Sequence, residues 1–333
     1  MSMTRALILR GPAAILWKSQ TFYTLDDIKV VIALETRDLT ASAFGKVDEV
    51  VLNRKIEVTA TPIGLWAGGS TDFANRCIAL FTWINALPGT AIFPATQAAE
   101  TPLVIWTTDG TKYTFPSAAI TKMPSINLST EKVICGPVTW TCLEALAAST
   151  NIIQAWSVAS MMEATTSVAF TDATFSTSDI LEDSYTAVWG SIAGFTGVET
   201  KNGFTIEPSM TIQPVTTDTY GIIDYTLGSV SVTCKFQPVG SVTPDNMIAA
   251  MKIQGTGSAR GMSLASIQSS TDLVISGSTT GRLKVTLKGA QLKSGGMAFG
   301  LVTERVGELE FITTRNWTNN VTGDLILFSA VGA

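Results

Sequence analysis

Histidine is absent from all 333 residues. That one absence removes Ser-His-Asp and Cys-His catalysis, His-ligated metal sites and histidine proton shuttles together. Charge is scarce as well: 15% of residues are Asp, Glu, Lys or Arg, against roughly 25% in an ordinary soluble domain. The 22 basic and 27 acidic residues leave a net charge of -5. No cluster of Lys and Arg supplies the phosphate-neutralising face that tight nucleic-acid binding requires. No apolar run approaches the roughly 20 residues that span a bilayer. The opening MSMTRALILRGPAAILW imitates a signal peptide, but Arg10, Gly11 and Pro12 interrupt it, so an N-terminal arm is expected there.

Cysteine is limited to Cys77, Cys135, Cys142 and Cys234, with no Cys-x-x-Cys pair and no zinc-module spacing. Packed thiols are the ordinary reading, with a Cys135–Cys142 bridge as the alternative. Gly255, Gly257 and Gly261 imitate a dinucleotide fingerprint. The third glycine comes one place late and the stretch follows a helical pattern, which makes it a loop. Asp26-Asp27 and Glu182-Asp183 read as solvated loop acids, a glycosidase pair being the weaker alternative. The sequons at Asn127, Asn316 and Asn320 lack a secretory signal to give them meaning. No catalytic residue, cofactor site or metal site is assigned, and no enzyme activity is expected.

What is present is a repetition. FGKVDEVVLNRKIEVTATPIG begins at Phe44, and YGIIDYTLGSVSVTCKFQPVG begins 176 residues later at Tyr220. Both open on an aromatic-Gly pair, place an Asp three residues after the Gly, and close on Pro-x-Gly. Four further landmarks recur in the same order at nearly the same spacing: Trp17 with Trp189, LVI at Leu103 with LVI at Leu273, TDGTKYTF with TTGRLKVT, and TEKV with TERV. The chain therefore reads as a tandem duplication, with a first domain at 1–150, a connector at 151–174 and a second domain at 175–333.

Each copy reads as strands, one helix, then strands. Ile56, Val58 and Ala60 alternate with polar neighbours, as do Val232, Cys234 and Phe236, which is the period of a sheet with one buried face. Phe73, Cys77, Leu80, Phe81 and Ile84 recur at helical spacing behind a possible Ser70 or Thr71 cap. Thr243-Pro244-Asp245 places a cap and an N1 proline before Met247, Ile248 and Met251. Asp109-Gly110 predicts a tight hairpin turn. The connector begins rich in Ala and Met, a helical composition, and then turns extended. Trp66, Trp106, Trp140 and Trp317 are expected mostly in the core, with subunit contacts as the minority alternative.

The run DDIKVVIALETRDLTASAFGKVDEVVLNRKIEVTATPIG, with SMTIQPVTTDTYGIIDYTLGSVSVTCKFQPVG as its second copy, resembles the tail-tube (major tail) proteins of long-tailed bacteriophages. The resemblance implies tandem β-barrel or sandwich domains, each flanked by a helix, in a mainly β chain. It implies a structural virion protein of the tail, assembled in the host cytoplasm, whose rings stack into a hollow tube through which DNA passes without specific binding. Its partners would be itself and other tail proteins, with no membrane. Six tube domains per ring and two per chain imply about three chains; six chains with the second domain outside is the competing arrangement. The loops at about 36–52 and 212–228 are expected to touch between rings, with Phe44, Gly45, Asp48, Tyr220, Gly221 and Asp224 as contact residues. The alternative function is a two-domain β-rich structural or binding protein that forms no tube, such as a tail decoration or connector component.

Overall fold

A computed structural model describes residues 14–25, 27–63, 70–93, 102–107, 111–129, 135–143, 163–166, 184–217, 221–251, 262, 264, 268, 271–298, 306–313, 315 and 323–332. Strand makes up 63% and helix 7%, so the chain is mainly β, in several antiparallel sheets of which one curls into a half-barrel. The first half runs β1 (Ala14–Trp17), β2 (Gln20–Thr24), β3 (Lys29–Ala41), β4 (Gly45–Ala60), β5 (Pro62–Ile63), α1 (Ser70–Leu80), β6 (Leu103–Trp106), β7 (Thr111–Phe115), β8 (Ala118–Lys122), β9 (Ile126–Leu128), β10 (Val138–Cys142) and β11 (Glu163–Thr166). The second runs β12 (Tyr185–Trp189), β13 (Glu199–Thr200), β14 (Phe204–Thr217), β15 (Gly221–Phe236), β16 (Pro238–Val239), α2 (Pro244–Ala250), β17 (Thr271–Gly277), β18 (Leu283–Met297), β19 (Val306–Thr313) and β20 (Ile326–Ala330).

Strand order is the same in both halves. β3 pairs with β4, β4 with β10 and β10 with β8; β7, which follows β8 around the bend, pairs with β6, and β6 with β1. In the second half the sequence is β14, β15, β19, β18, β17, β12. There β18 does as one strand what β7 and β8 do as two, and Gly289, at φ +55, supplies the bend. Register matches too. Ile15 faces Ile105 and Leu16 faces Val104, as Ala187 faces Ile275 and Val188 faces Val274. Thr24 faces Pro62 as Thr200 faces Pro238, so both Pro-x-Gly elements end in the same pairing.

One match moves by a residue. Aligning TDGTKYTF with TTGRLKVT equates Lys112 with Leu283, yet Val104 faces Thr114 where Val274 faces Thr286, so Lys112 corresponds to Lys284. With a period of two, that one-residue slip would set the buried Phe115 against the half-buried Thr286; it corresponds instead to buried Leu287. The tip residues 108–110 lie outside the described residues. Part of the expected connector is a strand: β11 pairs with β7, Thr166 facing Thr111, as β20 pairs with β18, Ala330 facing Leu283. The rest of the connector, with its expected helix, lies outside the described residues, as do Trp66, Trp317 and the glycines 255, 257 and 261.

Each half has an indole at the centre of its core. Trp17 and Trp189 are buried at the ends of β1 and β12, and their Nε1 atoms donate to the carbonyls of Ala79 (3.0 Å) and Ala290 (3.1 Å). Trp17 meets Trp140 edge-on at 6.3 Å, and Trp189 meets Phe311 edge-on at 4.9 Å. Trp140 and Phe311 are equivalent, facing Val58 and Cys234 across the ladder. Ile56, Val58 and Ala60, like Val232, Cys234 and Phe236, face inward as their alternation requires. Trp106 is only half-buried.

Ser70 is the first residue of α1 and not its cap, while Cys77, Leu80, Phe81 and Ile84 are buried. α2 has the expected cap: Thr243 Oγ1 accepts the Asn246 amide at 3.2 Å, and Asn246 Oδ1 accepts the Thr243 amide at 3.3 Å. The four cysteines are buried and unbridged. Burial pushes the thiols of Cys77, Cys142 and Cys234 well up, with the neighbouring Cys135 adding to the effect at Cys77.

Candidate functional site

The stretches expected as loops at 36–52 and 212–228 are strands over nearly their whole length. β3–β4 and β14–β15 are long antiparallel pairs; the first turns over residues 42–44, and residues 218–220 between β14 and β15 lie outside the described residues. Each is bulged twice at equivalent places. Thr40 faces Lys46 and Leu39 faces Asp48, so Val47 is extra; Thr216 faces Ile222 and Val215 faces Asp224, so Ile223 is extra. Farther down, Leu52 and Gly228 are the extra residues. A bulge twists the strand and changes which alternate residues face which way, and this keeps so long a ribbon from lying flat.

These bulges account for the recurring Asp. Asp48 and Asp224 each follow the first extra residue, and each turns its own Oδ1 onto the next amide: Glu49 N at 2.7 Å and Tyr225 N at 2.6 Å. The Gly that opens each motif begins β4 or β15. Gly45 needs φ +70 to leave the turn, a conformation that a side chain disfavours. Phe44 stands 84% exposed at the first tip. Gly221 is paired with Thr217, and Tyr220 lies outside the described residues.

The two hairpins differ in what covers them. A segment that follows α1 lies along β15: Gly89 N donates to Leu227 O (2.7 Å), Leu227 N to Thr90 O (2.9 Å), and Ile92 N to Tyr225 O (2.8 Å). Phe93 N then donates to Asp224 Oδ1 at 2.8 Å. Around this contact Ile92, Phe93, Ala119 and Leu143 of the first half pack with Tyr225 of the second, with Met210, Ile212 and Ile222 alongside. β9 adds to the outer edge of β14, Ile126 facing Ile206 and Leu128 facing Phe204. Asn85 grips β20, its Nδ2 donating to Ile326 O while its Oδ1 accepts the Leu325 and Ile326 amides, and Phe81 packs on Phe328 at 5.1 Å. The halves therefore share a seam built partly from backbone pairing.

Of the two aspartates expected at contacts between rings, Asp224 is engaged within its own chain. Asp48 is exposed, on a hairpin that no other part of the described chain covers in this way. Near the tip, beside the exposed Phe44 and Val47, Lys46 bonds Asp38 at 2.8 Å and also Glu49, while Thr36 Oγ1 donates to Glu49 Oε2 at 2.9 Å. Asp38 and then Glu49 hold the Lys46 ammonium above its ordinary range. Ion pairs this exposed add little to stability. Lower on the same hairpin Ile32 and Leu34 are 64% and 57% exposed.

Sequence reasoning missed Asn85, Ile92, Phe93 and Ile126, the first-half side of the seam. The available signal was an apolar pair just after Pro88-Gly89, too short to distinguish from core. A cavity of about 240 Å³ lies between the turn at Trp189–Ala193 and α2. Ser191, Asn246 and Gln268 are the polar groups of its described lining, which includes no charged side chain. Gln268 is already committed, its Nε2 donating to Leu292 O and its Oε1 accepting Leu292 N. Among the described residues no three His, Cys, Asp or Glu side chains gather to hold a metal, and no helix is long and apolar enough to cross a membrane. No family model matches the chain, and no curated protein matches it.

Proposed function

We propose that this chain is a structural virion protein that polymerises into stacked rings, forming a hollow tail tube through which DNA passes. The observation that carries the reading is the seam: two halves with one strand order, joined through β9 and β14, have the relationship expected of consecutive units in a head-to-tail array. Such an array covers the strand edges that would otherwise template disordered aggregation, and when its rotation closes it forms a ring. Both halves keep the long hairpin, the helix and the same sheet order, which favours about three chains per ring over six with the second half outside. The low charge and net acidity suit a wall that does not hold DNA phosphate. The resemblance of the two aromatic-Gly-Asp hairpins to tail-tube proteins supplies the identity of the array.

Negative-stain microscopy of the concentrated full chain tests this. Rings or tubes with a central channel are the expected result, and rotational averaging of end-on views should give threefold symmetry with six similar units. Discrete particles without a channel at every concentration would overturn the tube.

A further inference from the structure

Ile126 and Ile206 face each other across the seam and are 1% and 0% exposed. Each has an equivalent in the other half. Ile126 bridges Cys135, five residues before Trp140, and Met297 pairs with Val306, five residues before Phe311. Since Trp140 and Phe311 are equivalent, Val306 stands at the place of Cys135, two residues on from the Val133 that the TEKV–TERV match sets against it, and Met297 occupies the position of Ile126. On the other side Ile206 and Val30 are equivalent, because they face Cys234 and Val58 in the matched hairpins. Met297 and Val30 are each 40% exposed. The chain thus carries one buried pair in its middle and the two separated members of a second pair.

We infer that Met297 of one copy of this chain seats on Val30 of the next, extending the open edge of β3 as Ile126 of β9 extends that of β14. The inference deepens the self-assembly reading above by naming the surfaces that meet. Several observations select a second copy as the occupant. β3 is an edge strand whose outer side has no partner among the described residues. The face beside that edge carries Val30, Ile32 and Leu34, all exposed, where the second hairpin carries Ile206, buried against Ile126, and Met210, packed against the cluster of Ile92 and Phe93. Exposed apolar side chains beside an unpaired edge are an aggregation hazard unless a specific strand takes them. The contact is heterologous, second half onto first hairpin, so it propagates head to tail in one direction. Equivalence stops at the tip, where Ile212, Ile222 and Tyr225 are replaced by Thr36, Lys46 and Glu49; the seated neighbour meets polar groups there.

Single variants Val30→Cys and Met297→Cys, mixed in equal amounts as full chains and oxidised at a concentration where assemblies sediment, test the seam. Directly opposed residues of an antiparallel pair have Cα atoms about 4.5 to 5.5 Å apart, within disulfide reach, and the four native cysteines are buried. The expected result is a covalent dimer containing one chain of each variant, absent when either is oxidised alone. Val30→Asp should raise the concentration needed for assembly at least tenfold while leaving the monomer's thermal melt unchanged. The inference is overturned if assemblies form and the mixed dimer does not, if Val30→Cys dimerises alone, or if Val30→Asp assembles like the parent. Tubes without the mixed cross-link would sink this seam and leave the tube reading standing, whereas the cross-link without rings or tubes would do the reverse. A chain that stays monomeric at every concentration overturns both.

Discussion

Asp224 Oδ1 accepts two amides, Phe93 N at 2.8 Å and Tyr225 N at 2.6 Å. One oxygen therefore fixes a bulge in its own hairpin and holds backbone from the other half. Asp48 makes only the first of these bonds, to Glu49 N. Asp224→Ala should cost about 1–3 kcal/mol, because it strands half-buried amides, while Asp48→Ala in the isolated chain should cost about 0.5 kcal/mol or less. Hydrogen exchange should show the Ile92 and Phe93 amides losing protection in Asp224→Ala alone. Equal loss in both variants would refute the role given to the seam aspartate.

The two cores differ in one indole. Trp189 Nε1 reaches Ala290 O, whereas Trp140 Nε1 is buried without an acceptor among the described residues, and the second half has Phe311 in its place. Trp189→Phe should cost about 1–3 kcal/mol, since it leaves a buried carbonyl short of a donor and opens space beside two rings. Trp140→Phe removes an unsatisfied donor and should cost less. Urea unfolding of the two variants gives the order, and the reverse order would contradict this account.

At the first hairpin tip the backbone sets the constraint. A Cβ added at Gly45 meets nothing within 4 Å, but its φ is +70. Gly45→Val should therefore destabilise by about 1–2 kcal/mol through the left-handed backbone alone, and Gly45→Asn by distinctly less, because Asn tolerates that region. Thermal melts that do not separate Val from Asn would remove the backbone explanation.

Thiol chemistry should be silent in the folded chain. Burial holds the thiols of Cys77, Cys142 and Cys234 protonated at neutral and mildly alkaline pH. Iodoacetamide at pH 8 is expected to leave all four cysteines unmodified until denaturant is added. Rapid labelling of any one in the native state would contradict its burial.

The strands around Ile56–Ala60 and Val232–Phe236 were legible because their period of two is unbroken, and α2 was legible because Thr243, Pro244 and Asn246 are local signals. The hairpin arms were not. Residues 35–49, ETRDLTASAFGKVDE, have the composition of a loop, and the extra residues Val47 and Leu52 break the alternation that would have marked strands. The recurring Asp was found, but its reason, an amide beside a bulge, is a pairing property that no short window contains. The seam lay further out of reach: Phe93 and Asp224 are 131 residues apart, and neither belongs to a pattern that names the other. β11 escaped for a similar reason, since only its partner β7 distinguishes it from the connector around it.

The ion pairs near the tip of the first hairpin separate the two arms by their response to salt. Lys46, Asp38 and Glu49 act through fields that decay over about 8 Å at physiological ionic strength and faster in brine. Tyr225, Ile212 and Ile222 make contacts that added salt does not weaken. A single polypeptide therefore carries one arm that ionic strength can detune and another that it cannot.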